Sequence, residues 1–293
     1  RPRLLRRRAC RWFLLYAVVP YAVVVVVFAV CQRRLMYQPT VADRLRVADV
    51  DADDAFGKDV ELKTADGNTL RGWLLYGNGR QGRRVEQSPL VLYFPGNSLN
   101  RQERISDLRE IASRGFDVLI FDYRGFGDST GSPTETDLTT DALLVWSFAR
   151  NELGYEERRI VVFGESLGGA VALSLWSSDH RDPPQPAAVI LNSTFASMPQ
   201  TVAWHYPLFP FQFLLLDRWP SIERITRVQA PVIVFHGADD AIVPVNQGRA
   251  LAQGAPNARF VEVSGATHNE IPMMRLRQEL DAIMAALPPA RSP

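Results

Sequence analysis

The chain has 293 residues, 46% of them hydrophobic and 22% charged, with a formal net charge of +1, a length that holds one large α/β domain or two small ones with a sizeable core. The near-neutral total hides an asymmetry, because residues 1–34 carry eight arginines and no acid, leaving 25 of the 33 basic side chains against all 32 acidic ones. A nucleic-acid-binding domain carries the opposite sign, and that class is excluded.

The first predicted element is "WFLLYAVVPYAVVVVVFAVC", residues 12–31, a run without a charge. About 20 residues at about 1.5 Å each match the roughly 30 Å of a hydrocarbon core. Trp12, Tyr16 and Tyr21 provide aromatic edges, and Pro20 is tolerable in a membrane helix. Six arginines precede the run and two follow it, so the N-terminus is expected in the cytoplasm and the rest of the chain on the extracytoplasmic side. The run is longer than a signal-peptide core, and "FAVC" offers no small-x-small site. The expectation is therefore an uncleaved anchor over 1–34. Cys10 and Cys31 flank it, too far apart along one helix for a disulfide. No cysteine follows, so the domain beyond asks for no particular redox compartment.

Residues 35–58 read as a connector with an acidic end. "DVELKT" and "TLRGWLLY" then alternate in polarity around "ADGN", a hairpin signal in which Asp66-Gly67 suits a tight turn. "GNGRQGRRVEQSP" reads as an exposed loop. From residue 90 onward, "LVLYF", "DVLIF", "RIVVF", "AAVIL", "PVIVF" and "RFVEV" alternate with helical stretches near 100–114, 134–151, 167–178, 246–253 and 269–286. Continuous apolar runs separated by helices predict parallel strands covered on both faces. The fold class is α/β, one mostly parallel, doubly wound domain over 59–288, entered by an antiparallel hairpin. Reactive groups in such sheets gather at the carboxyl ends of the strands.

After "RIVVF" stands Gly164-Glu165-Ser166-Leu167-Gly168-Gly169. Gly164 and Gly168 permit a turn too tight for side chains, which pushes Ser166 into the open above a helix N-terminus, the position of a nucleophile. "PVIVF" is followed by "HGADDAIVP", where Asp240 is favoured as the carboxylate that orients a histidine and Asp239 as its helper or solvent-facing neighbour. "RFVEV" is followed by "SGATHNE" and His268. Of the four histidines, His180 lies in a polar loop, His236 closes a strand and is expected to support its turn, and His205 is a weak candidate for substrate contact. Only His268 completes the order Ser–Asp–His at strand ends. After "LVLYF", the loop Pro95-Gly96-Asn97-Ser98 can aim a backbone amide at a reacting carbonyl. The Asn97 and Leu167 amides are the expected oxyanion donors. Asp122, Tyr123 and Arg124 are read as structural, with Arg124 bracing nearby loops.

With these residues on the page, the chain resembles the α/β-hydrolase superfamily, and within it the membrane-anchored group that includes α/β-hydrolase domain-containing protein 13 and its yeast relatives. The resemblance runs through "LMYQPT", "YFPGNSLNR", "FDYRGFGDSTGSPTE", "FGESLGGAVAL", "NSTFASM", "HGADDAIVP" and "GATHNE". It implies a triad on Ser166, Asp240 and His268, with no metal or organic cofactor. Pro95 stands where many superfamily members have the histidine of a His-Gly pair, a substitution this group shares and one that leaves the backbone donor in place.

Residues 195–225 form a longer connection than an α/β unit needs and are rich in aromatic side chains. A short cap lining an acyl pocket is expected, with Trp204, Phe209 and Phe211 as pocket candidates. The alternatives are that these rings close the core over the sheet edge or dip into the membrane. The reading as a whole is a membrane-anchored serine hydrolase that takes small acyl or lipid-like esters or thioesters through an acyl-enzyme. A serine peptidase of the same superfamily is the near alternative. A catalytically silent interaction protein is the distant one, disfavoured because every expected position is filled.

Overall fold

The computed structural model describes residues 11–50, 56–77, 88–180, 182–270 and 273–289. Cys10, the first five arginines and most of the loop expected at 77–89 lie outside the described residues. Residues 11–36 form one continuous helix, long and apolar enough to cross a membrane. Its first part includes a wide turn at Leu14–Val18, and its main part, α1, runs Val19–Met36. It therefore ends two residues beyond the expected limit of the anchor.

Eight strands make the main sheet: β1 Gly57–Lys63, β2 Thr69–Leu75, β3 Leu90–Phe94, β4 Asp117–Phe121, β5 Ile160–Glu165, β6 Ala188–Asn192, β7 Val232–Gly237 and β8 Ala258–Val263. Their spatial order is β8-β7-β6-β5-β3-β4-β2-β1. Only β2 runs against its neighbours, pairing antiparallel with both β1 and β4, while the other pairs are parallel. The α-helices that follow α1 are α2 Ile105–Ala112, α3 Glu135–Ser147, α4 Leu167–Leu173, α5 Met198–His205, α6 Phe211–Leu214, α7 Ser221–Ile225, α8 Val245–Gly254 and α9 Met273–Ala286.

The apolar runs are continuous because the inner strands each feed two cores. Leu90, Leu92 and Phe94 of β3 face one cluster, and Val91 and Tyr93 face the other. Ile160 and Val162 of β5 likewise oppose Val161 and Phe163. A strand buried on one face only would alternate with polar residues. The carboxyl ends of these strands share one rim of the sheet, and the loops that carry chemistry rise from it.

Beneath that rim lies a buried ion cluster. Arg101 is 1% exposed. Its Nη1 donates to Asp122 and, at 2.7 Å, to Asp128, while Nη2 donates to the Leu45 carbonyl at 2.8 Å. Burial pushes the Asp122 carboxyl up to about 6 although the guanidinium pulls the other way, so desolvation outweighs attraction here. Arg124 joins distant loops as expected: Nε and Nη2 hold Asp141 of α3 at 2.7 and 2.8 Å, and Nη1 reaches Asp66 in the hairpin turn. Arg101→Met is expected to lower stability by about 3–5 kcal/mol, because two buried carboxylates lose their partner. A shift of the urea midpoint smaller than that of a typical surface substitution would contradict it.

Candidate active site

Ser166 sits between β5 and α4 with φ 52° and ψ −116°, a conformation that costs a non-glycine residue of order 1–3 kcal/mol. Its surroundings hold it there. The Ser166 amide donates to the Asn192 carbonyl at 2.8 Å, and its carbonyl accepts from the Gly169 amide at 3.1 Å. A Cβ on Gly164 would lie 2.5 Å from the Gly169 Cα, and one on Gly168 would strike the Phe94 carbonyl. Only glycine at these two positions lets strand and helix close on the turn.

The loop after β8 brings His268 over this corner. Its Nε2 is 2.9 Å from Ser166 Oγ, and its Nδ1 is 2.7 Å from Asp240 Oδ2. Asp240 stands at the end of β7, where its Oδ1 accepts from the Ile242 and Val243 amides at 2.9 and 2.8 Å. Asp239 is exposed and Asp240 buried, so the turn separates the neighbouring carboxylates as expected. Burial favours the neutral acid at Asp240. Hydrogen bonds from His236 and His268, with the Val243 amide, outweigh it and hold the carboxyl well below the usual range. Asp240 is therefore ionised, Nδ1 of His268 donates to it, and Nε2 is left to accept the serine proton.

His236 does more than support its turn. Fully buried, it places Nε2 2.8 Å from the Val243 carbonyl and 3.2 Å from Asp240 Oδ2. A second imidazole thus flanks the oxygen that faces His268. The available signal was a histidine four residues before the aspartate in "HGADD". His180 and His205 bind backbone carbonyls, of Leu175 at 3.0 Å and Ile242 at 2.8 Å.

Asn97 and Leu167 share a cavity wall with Ser166. Among the described residues neither amide donates to a protein acceptor, which leaves both free to meet an oxyanion. Tyr123 Oη donates to the Pro95 carbonyl at 2.8 Å, bracing this loop from below. Asn97 Nδ2 donates to the Met36 carbonyl at 2.8 Å, and the Gln38 amide donates to the Asn97 carbonyl at 2.8 Å. The loop is thus tied to the last residue of α1.

The cavity beside Ser166 measures about 360 Å³. Met198, Thr201, Val202 and His205 line it from the cap, a set at the i, i+3, i+4, i+7 spacing of one helix face. Across from them stand Phe28, Gln32, Leu35 and Met36 of α1. The expected pocket residues Trp204, Phe209 and Phe211 are not in this wall. Trp204 projects off that face of α5 and is exposed. Phe211 stacks on Phe28 at 3.9 Å and Phe209 on Tyr21 at 5.0 Å between ring centroids. Their aromatic surface joins the cap to α1.

This fold and this corner define a hydrolytic enzyme of the serine type. Residues 98–222 match a family described as "Serine aminopeptidase, S33". An uncharacterized protein of Mycobacterium tuberculosis is 39% identical over 254 residues, 86% of this chain and 85% of its own. Lysophosphatidylserine lipase ABHD12 of Danio rerio is 33% identical over 180 residues, 56% of this chain and 46% of that protein. The Pyrococcus furiosus esterase Pf2001 superposes with a TM-score of 0.63 at 18% identity, over 86% of this chain and 98% of that one. The chain belongs to the α/β-hydrolase superfamily.

The depressed Asp240 pKa has a signed consequence. The folded value lies below the unfolded one, so the stabilisation is fully present above the ordinary carboxylate pKa and fades as pH falls through the folded value. Asp240→Asn should cost about 1–3 kcal/mol at pH 7. Chemical denaturation at stepped pH should show the gap to the parent narrowing below about pH 4, and a gap independent of pH would refute the assignment.

Proposed function

We propose that this protein is a membrane-anchored serine hydrolase of carboxylic esters or thioesters, working through Ser166, His268 and Asp240. The observation that carries the reading is the single imidazole with one nitrogen 2.9 Å from the serine oxygen and the other 2.7 Å from the buried carboxylate. Ser166 Oγ attacks the acyl carbon while His268 Nε2 takes its proton, and the Asn97 and Leu167 amides receive the oxyanion. His268 then protonates the departing alcohol or thiol as its bond to the acyl carbon breaks. A water, deprotonated by the same nitrogen, attacks the acyl-enzyme, and the carboxylic acid leaves as the proton returns to Ser166. Asp240 holds the imidazole in the required tautomer, and His236 holds Asp240.

The apolar cavity wall favours an acyl chain over a peptide, and the lipase named for the zebrafish relative points the same way. The aminopeptidase description of the matched family keeps amide cleavage as the second reading. The arginine asymmetry across the apolar helix supports a cytoplasmic N-terminus with the catalytic domain on the extracytoplasmic side.

Detergent-solubilised full chain should label with a fluorophosphonate and hydrolyse p-nitrophenyl esters faster than aminoacyl nitroanilides. Ser166→Ala should abolish labelling and lower the ester rate by at least about 10⁴-fold with folding intact. An unlabelled parent would sink the enzyme reading, and nitroanilides as the better substrates would favour the peptidase.

A further inference from the structure

The anchor helix and the cap cannot occupy separate compartments. Uncharged residues begin at Trp12, directly after Arg11 and an arginine-rich stretch, so the apolar span cannot be moved toward the N-terminus. The cap nevertheless touches the helix at Tyr21, whose hydroxyl donates to the Leu208 carbonyl at 3.0 Å. Residues 11–20, which precede this contact, make only about 15 Å of helix, half of a hydrocarbon core. Counted from the other end, Tyr21 lies ten residues before Cys31, or about 15 Å inside a span that ends there. If this helix crosses a bilayer, the tip of the cap goes in with it.

The cap has the chemistry for that place. From Phe195 through Leu216 it contains no aspartate, glutamate, lysine or arginine. Leu208, Phe213 and Leu216 are 83%, 75% and 64% exposed, with no protein element over them among the described residues. A patch of this kind is costly in water and stable in lipid. The polar side chain nearest the apolar part of the helix, Gln32, turns inward and bonds to the Leu214 carbonyl and the Leu216 amide at 3.1 and 2.7 Å.

The two elements also agree on where the lipid ends. The first charge after the apolar run of the helix is Arg33, and the first after the uncharged run of the cap is Asp217. They meet as a two-point pair, Nε to Oδ2 at 3.0 Å and Nη2 to Oδ1 at 3.1 Å. Independent polarity boundaries, 184 residues apart in sequence, fall at one level. That level marks the membrane surface.

The cavity crosses this level. Phe28 lies within the apolar run of the helix and Met36 three residues beyond Arg33, and both line the same space as Ser166. At about 360 Å³ the space is near the lower end of the roughly 300–1,000 Å³ usual for ligand sites, which suits one acyl chain. We propose that the cap is immersed in the leaflet nearest the catalytic domain, and that the cavity is filled sideways from that leaflet, between α1 and α5, by a single-chain ester-bearing amphiphile. The route of filling rests on the esterase reading, whereas the immersion of the cap does not.

Two measurements on the full chain in phosphatidylcholine vesicles decide it. The first places an environment-sensitive fluorophore on Leu208→Cys, in a Cys10→Ser and Cys31→Ser background. Quenching by nitroxide groups on the lipid acyl chains, and not by aqueous iodide, is expected. Quenching by iodide alone overturns the immersion. The second compares the parent with Leu208→Arg/Phe213→Arg, which changes two exposed positions outside the cavity wall. The rate on water-soluble p-nitrophenyl acetate should stay within about twofold, while hydrolysis of a vesicle-borne monoacylglycerol should fall at least about tenfold, since arginine is among the most costly side chains to place in lipid. A lipid-quenched label with an unchanged vesicle rate overturns the sideways route. A parent that cleaves neither ester overturns the esterase reading, while the label still decides whether the cap is immersed.

Discussion

The proposed chemistry of this molecule depends on holding one serine in a backbone conformation that serine does not prefer. At φ 52° the turn is uphill, and it persists because strand, helix and the adjacent loops close on it from every side. The close packing of Gly164 against Gly169, and of Gly168 against the Phe94 carbonyl, is the constraint. It fixes where Oγ points before any other residue of the site is considered, and it leaves the first amide of α4, that of Leu167, unpaired beside the same space. The rest of the rim is arranged around that fixed point.

Asp240 shows how the rim keeps a charge in a buried place. A carboxylate among apolar side chains would take up a proton unless it were well supplied with donors. Here two backbone amides take one oxygen, and two imidazoles flank the other. The His236 contact matters because Oδ2 is the oxygen that aligns His268. With His236 packed on one side of it, that oxygen cannot swing away when the ring of His268 moves. The sequence feature is modest, a histidine at the end of an apolar strand, and its meaning comes from the turn that folds "GADDAIV" back over it.

The sheet was legible because its five inner parallel strands are buried on both faces, so each appears as an unbroken apolar run, while the half-exposed β1 and β8 show as alternating or broken ones. Ser166 and Asp240 stood out because each follows a buried run, and His268 because it follows the last strand in the order Ser–Asp–His. Helix limits were less legible. The stretch expected at 100–114 opens with a tight turn capped by Asn100 before α2 begins at Ile105. The stretch expected at 134–151 is α-helical only to Ser147 and then widens. The cavity wall was the least legible part. Trp204, Phe209 and Phe211 announce aromatic surface, but helices as short as α6 do not repeat often enough to say which way a ring faces. The other half of the wall lies on α1, about 170 residues away in the chain, and nothing in an apolar span says that one of its faces is reserved for protein.

That reserved face changes what the N-terminal helix is for. A tether needs only length and hydrophobicity, and its junction with the domain can be slack. Here the junction is tight. Met36 receives the side chain of Asn97, Gln38 pairs with the backbone of the same residue, and residues 38–39 run parallel to 98–99. Asp217 collects Arg33 and Tyr37 at once. The amide expected to meet the oxyanion therefore sits on a loop fastened to the end of the helix, and the helix is fastened to the cap. A rotation of α1 about its axis would carry Phe28, the cavity wall and the Asn97 loop together. The Asn97 loop, the cavity wall and the long apolar helix thus share one joint, so a shift of that helix acts on the same atoms that shape the site.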